Sequence, residues 1–117
     1  MFSPAHQVKV YIATGITDMR KSINGLSILV ADQLDLDPLS GHVFAFCNRK
    51  RDIVKILYWD RNGFCLFTKR LEKDRFQWPE SAEHVLNIHG YELTWLLDGL
   101  TLEQHQAHRQ LYYQTVL

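Results

Sequence analysis

The sequence has few of the residues that mark disulfide-rich or strongly charged proteins. It holds 2 cysteines, 3 prolines and 6 glycines in 117 residues, and its 13 basic residues balance 13 acidic ones. Two cysteines are too few for a disulfide framework, and Cys47 and Cys65 fall inside predicted strands, so we expect reduced thiols and a cytoplasmic protein. Because the net charge is zero, any affinity for DNA has to come from a local patch.

Long apolar runs are also missing. No stretch approaches the roughly 20 apolar residues of a membrane-spanning helix, and residues 1–7 lack the pattern of a signal peptide. We therefore expect no membrane partner. Hydrophobic residues nevertheless make up 46% of the chain, which is enough for a core, and the length favours one domain over residues 1–117.

Catalytic and metal-binding motifs are absent as well. His105 and His108 share a predicted helix face, but no Cys-x-x-Cys or His-Glu-x-x-His framework accompanies them. There is no glycine-rich phosphate loop and no Gly-x-Ser-x-Gly elbow. The acidic residues that could hold a divalent cation sit at a predicted helix start or in turns, namely Asp18, Asp35, Asp37 and Asp60. We expect no enzyme activity, no metal and no cofactor.

The N-terminal third predicts a strand followed by a helix. Residues 8–13 alternate and are rich in β-branched and aromatic side chains, which favours a strand that ends at Gly15. Apolar residues then recur at three- and four-residue spacing over residues 19–34, which predicts an amphipathic helix. Thr17 or Asp18 is the predicted cap of that helix.

The middle of the chain predicts an antiparallel meander of three strands over residues 42–48, 53–60 and 64–70. The Asn62-Gly63 pair is typical of a tight hairpin turn, because a type I′ turn needs a positive φ at both central positions. If the loop between the last two strands has four residues, Asp60 to Gly63, the expected facing pairs are Trp59 with Phe64, Leu57 with Leu66, and Ile56 with Phe67. Both faces of this hairpin are then largely apolar, so we expect an exposed apolar patch that includes Trp59 or Trp78.

The C-terminal third predicts only short elements. Residues 85–88 read as a strand, residues 91–97 as a helix, and residues 102–114 as a last helix with a weakly apolar stripe. The expected fold class is α+β. It comprises a small antiparallel β-meander sheet, an N-terminal strand-helix unit and C-terminal helices packed on one face.

Basic residues are concentrated in the middle of the chain. Residues 49–75 hold nine basic residues against four acidic ones, whereas residues 76–117 hold one against five. Cations beside aromatic rings suit phosphate contact combined with base stacking. The candidate DNA-binding cations are Arg20, Lys21, Arg49, Lys50, Arg51, Lys69, Arg70 and Arg75. The candidate rings for base stacking or partner contact are Trp59, Phe76 and Trp78. A solvated charged edge that prevents aggregation explains the same run equally well.

A set of unusual peptides occurs in a consistent order along the chain. They are Thr17-Asp18-Met19-Arg20-Lys21-Ser22 with Gly25-Leu26, Asp37-Pro38-Leu39-Ser40-Gly41, Phe44-x-Phe46-x-Asn48-Arg49, Lys55-Ile56-Leu57-Tyr58-Trp59-Asp60, Gly63-Phe64-Cys65-Leu66, Lys69-Arg70-Leu71-Glu72 and Phe76-x-Trp78-Pro79. From about residue 8 to residue 99 the chain resembles the TnpB-type accessory proteins of bacterial insertion sequence 66 elements. Residues 100–117 fall outside this resemblance.

The resemblance implies a small, non-catalytic protein that is needed for efficient transposition. It implies two protein partners, a separate transposase and a second accessory protein of the same element. Ser22 stands where the family usually has Gly, which favours an ordinary helical residue there. Asp74 stands where Gly is common, which argues against a tight turn at that point.

Two functions stay open at this point. In the first, the protein contacts transposon DNA through the basic and aromatic residues named above. In the second, it is an interaction module that docks the transposase or the second accessory protein without touching DNA. A homo-oligomer is compatible with both.

Overall fold

The computed structural model describes residues 8–102, which form five strands and two helices. The elements in chain order are β1 (Val10–Ile16), α1 (Ile23–Asp32), β2 (Val43–Cys47), β3 (Ile53–Asp60), β4 (Gly63–Arg70), β5 (Val85–Ile88) and α2 (Gly90–Leu97). The α+β class expected from the sequence is therefore confirmed. Among the described residues, no helix is long and apolar enough to cross a membrane.

The five strands form one mixed sheet in the order β4-β3-β2-β1-β5. β1 pairs with β2 in parallel, whereas the other three pairings are antiparallel. The three strands predicted as a meander, β2, β3 and β4, pair antiparallel, but the expected antiparallel pairing does not extend to β1, which pairs with β2 in parallel. The reason is that α1 connects β1 to β2 and returns the chain to the same end of the sheet, which is what a parallel pair requires.

The β3–β4 hairpin has the register predicted from the sequence. Trp59 faces Phe64, Leu57 faces Leu66, and Ile56 faces Phe67. The turn differs, because Asp60 pairs with Gly63 and the two loop residues are Arg61 and Asn62. Only Arg61 of these two has a positive φ, of 52°. The predicted type I′ turn centred on Asn62-Gly63 is therefore wrong.

α1 is shorter than predicted at its start. It begins at Ile23 with Ser22 as N-cap, in an extended conformation (φ −109°, ψ −159°), so Ser22 is not a helical residue. Asp18 caps a separate turn instead, since its carboxylate accepts the N–H of Arg20 at 2.9 Å and its carbonyl accepts the N–H of Lys21 at 3.1 Å. The predicted core face of the helix is correct, with Leu26 and Val30 fully buried.

The two helices cover opposite faces of the sheet. One face carries alternate residues such as Phe44, Phe46 and Leu57, and it packs against α1. The other carries Ala45, Ile56 and their neighbours, and it packs against α2 and residues 76–78. The expectation that the helices share one face is wrong, because both faces of the central strands are apolar and each needs its own cover. The helix predicted over residues 102–114, with His105 and His108, lies outside the described residues beyond Leu102.

Candidate nucleic-acid interface

The structure gathers the candidate cations at one end of the sheet, where β2 ends and β3 begins. Ile53, the first residue of β3, pairs with Arg70 at the end of β4. The N–H of Phe76 donates to the carbonyl of Arg51 at 2.7 Å, which brings Arg75 beside the β2–β3 turn. The N–H of Thr17 donates to the carbonyl of Cys47 at 2.9 Å, which brings in residues 17–21. We call this region the basic end; it carries Arg20, Lys21, Arg49, Lys50, Arg51, Lys69, Arg70 and Arg75.

The β2–β3 turn is built by the side chain of Asn48. Its Oδ1 accepts the N–H groups of Asp52 and Ile53, both at 3.1 Å, and its Nδ2 donates to the Asp52 carboxylate at 2.7 Å. Asparagine favours turns because its side chain bonds to nearby backbone in this way. Arg49 and Lys50 occupy the tip of the turn, where both are exposed to solvent.

Arg51 leaves this turn in the left-handed conformation, with a φ of 61°, and its side chain folds back onto the protein. Its Nη1 donates to the carbonyl oxygen of Trp78 at 2.8 Å, and its Nη2 lies 3.1 Å from the carboxylate of Glu80. The side chain is 32% exposed. Arg51 therefore holds the segment around Trp78 in place, and its charge is largely engaged within the protein.

The charge of Lys69 is also bonded within the protein. It lies on the face of β4 that α2 covers, and its Nζ donates to the carbonyl oxygen of Leu97 at 2.7 Å. Leu97 is the last residue of α2, where carbonyl groups have no partner within the helix and a positive charge is favourable. Arg70 lies on the other face and bonds to the carboxylate of Glu72 at 3.0 Å, with 65% of its side chain exposed.

Residues 17–21 lie over the α1 face of the sheet at the same end. Lys55, in β3, donates its Nζ to the carbonyl oxygens of Met19 at 2.8 Å and Lys21 at 2.9 Å. The Arg20 guanidinium bonds to both carboxylate oxygens of Asp18, and these hydrogen bonds lower the pKa of Asp18 to about 2. The Arg20 side chain is nevertheless 91% exposed, so an anion can reach it.

The loop after β4 bends over residues 72–74, and Asp74 has a φ of 64° there. Asp tolerates this left-handed region better than most residues do, so the position does not require glycine. Lys73 and Arg75 are exposed on either side of it. A groove of about 420 Å³ lies between this loop and the end of α2, but Asp74 and Asp98 line it together with these cations. The two carboxylates therefore offset the positive charge of Lys73 and Arg75 inside the groove.

Phe76 and Trp78 are core residues. They are 1% and 5% exposed, and the indole Nε1 of Trp78 donates to the carbonyl oxygen of Ala13 at 2.9 Å. Stacking on a base or a partner needs an accessible ring face, so their prediction as contact residues is wrong. Of the two tryptophans named as alternatives for an exposed apolar patch, Trp78 is buried and only Trp59 is partly exposed. Both rings cover the sheet face opposite α1.

Trp59 is half-buried, but it lies at the opposite end of the sheet. It is six positions along β3 from Ile53, about 20 Å at the usual rise of a strand. Its ring makes an edge contact with Phe64, with centroids 5.1 Å apart. Trp59 and the basic end therefore cannot form one compact site.

Two features of the structure escaped sequence reasoning. Lys55 supports the segment that presents Arg20 and Lys21, and only its place on an apolar strand face could have suggested this. Three rings contact one another from the N-cap of α2 into the helix. His89 and Tyr91 are stacked with centroids 5.1 Å apart, and Tyr91 and Trp95 are tilted by 57° with centroids 5.0 Å apart. The spacing of Tyr91 and Trp95 at i and i+4 is a signal for such a contact.

Within residues 8–102, no three His, Cys, Asp or Glu side chains lie together as cation ligands. Both cysteines are free thiols. Burial raises the pKa of the Cys47 thiol to about 11, so this sulfur stays protonated at neutral pH.

Comparisons with known proteins agree with the resemblance seen in the sequence. A family model described as IS66 Orf2 like protein matches residues 8–107. Two proteins of Sinorhizobium fredii, the uncharacterized proteins y4hO and y4jC, are 40% and 34% identical to this chain over 100 residues. The aligned region is 86% of this chain and 87% and 86% of those relatives. No solved structure matches. The chain therefore belongs to the IS66 Orf2-like family and is an accessory protein of an insertion sequence.

Proposed function

We propose that the protein contacts the DNA of its insertion sequence through the exposed cations of the basic end. The observation that carries this proposal is the convergence of three separate segments, residues 17–21, 48–52 and 69–75, on one end of the sheet. A solvated charged edge needs no such convergence. Clustered cations raise the local positive potential and bind phosphates with release of counterions.

The cations divide into two groups by their contacts. Arg51 and Lys69 are bonded to carbonyl oxygens of the protein and act as positioning residues. Arg20 and Arg70 each bond to a nearby carboxylate but keep exposed guanidinium groups. The best candidates for phosphate contact are the exposed tips Lys21, Arg49, Lys50 and Arg75, to which we add Lys73.

This arrangement favours contact with the DNA backbone. Phosphate contacts set the position of a protein on a duplex, whereas base-edge contacts carry sequence information. Because Phe76 and Trp78 are buried, they supply no stacking surface beside the cations. The protein would therefore position the element DNA through phosphate contacts and without stacking these rings on its bases.

A second candidate function is docking of the transposase or the second accessory protein. It is favoured by the opposite end of the sheet, where Trp59 and Phe64 are half-buried and Leu39 is 53% exposed in the neighbouring loop. The carbonyl of Trp59 lies beside Gly41 of that loop. Exposed apolar residues rimmed by polar ones are typical of interaction sites.

A binding titration at two salt concentrations separates the two functions. Purified protein is titrated against a duplex with the terminal sequence of the element and against a scrambled duplex, with and without the two partner proteins. DNA contact predicts binding of the protein alone that weakens steeply as salt rises. Binding only in the presence of a partner, with little dependence on salt, would contradict DNA contact and support docking.

A further inference from the structure

β4 forms one edge of the sheet, and it is the longer of the two edge strands. It is eight residues long, whereas β5 at the other edge has four. Among residues 8–102, β3 is the one strand that pairs with β4. Its outer side therefore presents a long row of backbone groups to solvent or to another chain.

The pairing pattern identifies the backbone groups that face outward. The N–H of Leu71 donates to the carbonyl of Asp52 at 2.8 Å across the end of the hairpin. Inward and outward residues alternate along an antiparallel strand, so Cys65, Phe67 and Lys69 bond toward β3. The residues whose N–H and C=O groups point outward are Phe64, Leu66, Thr68 and Arg70.

The side chains along this edge are apolar on both faces. Phe64 and Leu66 are half-buried at the margin of the cluster under α1, and Phe67 is half-buried at the margin of the cluster under α2. Natural edges are usually protected by lysine, proline or a bulge. Residues 63–68 contain none of these, and the amine of Lys69 points to α2.

We propose that the β4 edge pairs antiparallel with the β4 edge of a second copy of this chain, about a two-fold axis at Leu66. In this register Leu66 meets Leu66, Phe64 meets Thr68, and Cys65 meets Phe67. Outward backbone groups face each other, and all five positions over residues 64–68 are uncharged. A second copy fits because it covers both half-buried margins at once with the same residues, as a two-fold interface requires. The result is one continuous sheet of ten strands.

A proline substitution tests the pairing. Thr68 is exposed and its N–H points outward, so Thr68→Pro removes no bond to β3 but removes a bond to the second copy at two places in the dimer. The matched control is Thr68→Ala, which keeps the N–H. Sedimentation of the full chain should give twice the mass of 13.7 kDa for the wild type and Thr68→Ala, and 13.7 kDa for Thr68→Pro. A monomeric wild type, or a Thr68→Pro protein that is folded by circular dichroism and dimeric, would contradict the proposal.

Amide hydrogen exchange on the wild type gives a second test that needs no variant. The amides of Phe64, Leu66 and Thr68 should become protected as the protein concentration rises, whereas those of Cys65 and Phe67 should be protected at every concentration. Fast exchange of the first three in the dimer would place the interface elsewhere. Protection that does not depend on concentration would show that another part of the same chain covers the edge, which also contradicts the proposal.

Discussion

The guanidinium of Arg51 donates a hydrogen bond of 2.8 Å to the carbonyl oxygen of Trp78, across 27 residues of sequence. This contact links the β2–β3 turn to the segment that covers the sheet face opposite α1. Arg51, which the charge pattern predicts as a DNA-contacting residue, therefore helps to hold the fold together. The exposed cations Arg49 and Lys50 lie in the turn that this contact fixes to the rest of the protein.

Arg51→Ala should lower the free energy of unfolding by about 1–3 kcal/mol, because the buried carbonyl of Trp78 loses a charged donor. Arg49→Ala, in the same turn, is the control and should change stability by no more than about 0.5 kcal/mol. Urea denaturation followed by tryptophan fluorescence measures both. Equal effects of the two substitutions would show that the contact between Arg51 and Trp78 contributes nothing.

Lys69→Met should also destabilise the protein, by about 1–2 kcal/mol, because the methionine keeps the apolar stem but not the donor to the carbonyl of Leu97. Arg70→Ala removes a neighbouring cation that is mostly exposed and should have little effect. Thermal unfolding of the two variants gives the comparison. If Arg70→Ala is the more damaging change, Lys69 does not hold the end of α2.

Asp74→Asn should tighten DNA binding severalfold at low salt, because it removes a negative charge between Lys73 and Arg75, and the gain should shrink as salt rises. Asparagine tolerates the positive φ of this position, so the backbone is kept. Asp35→Asn is the matched control, since Asp35 is also exposed with a φ of 55° but lies in the loop after α1. An equal gain from both variants would assign the effect to net charge alone.

The Cys47 thiol should resist alkylation at pH 8 in the folded protein. Its pKa of about 11 and its exposure of 1% leave almost no accessible thiolate. Because the folded pKa lies above the ordinary value of 9.0, the stability from this group is present below pH 9 and is lost as the pH rises toward 11. In a Cys65→Ser variant, reaction with a thiol reagent should wait for unfolding, and rapid labelling of the native variant would contradict this burial.

The local parts of the fold follow directly from the sequence. The alternation of residues 53–60 and 64–70 fixes the faces of the β3–β4 hairpin, and the structure has the register expected from it. The i, i+3, i+4 pattern likewise identifies Leu26 and Val30 as the buried face of α1. Both patterns depend on near neighbours in the chain, which is why they can be read without tertiary contacts.

The errors arise where long-range contacts decide. Phe76 and Trp78 follow a run of cations, and this pattern predicted that their rings are exposed. In the structure the two rings are buried because they cover the sheet face that α1 leaves open. The charge pattern predicts Lys69 as a surface cation, but its amine donates to the carbonyl of Leu97 at the end of α2, 28 residues further along the chain. The sequence predicts Asp18 as a helix N-cap, but Asp is typical of turns as well as of N-caps. Its hydrogen bond from the N–H of Arg20 shows that it belongs to a turn before the helix.

The central claim, that the basic end binds DNA, is tested most directly by two double variants that remove the same charge from different places. Lys50→Ala with Arg75→Ala removes two charges at the basic end. Lys9→Ala with Arg61→Ala removes two charges at the opposite end of the sheet. All four side chains are exposed. The measurement is the slope of the logarithm of DNA affinity against the logarithm of salt concentration. The first pair should reduce the magnitude of that slope by about two, at roughly 0.9 per lost phosphate contact, and the second should leave it unchanged. Equal slopes for the two variants would contradict the claim.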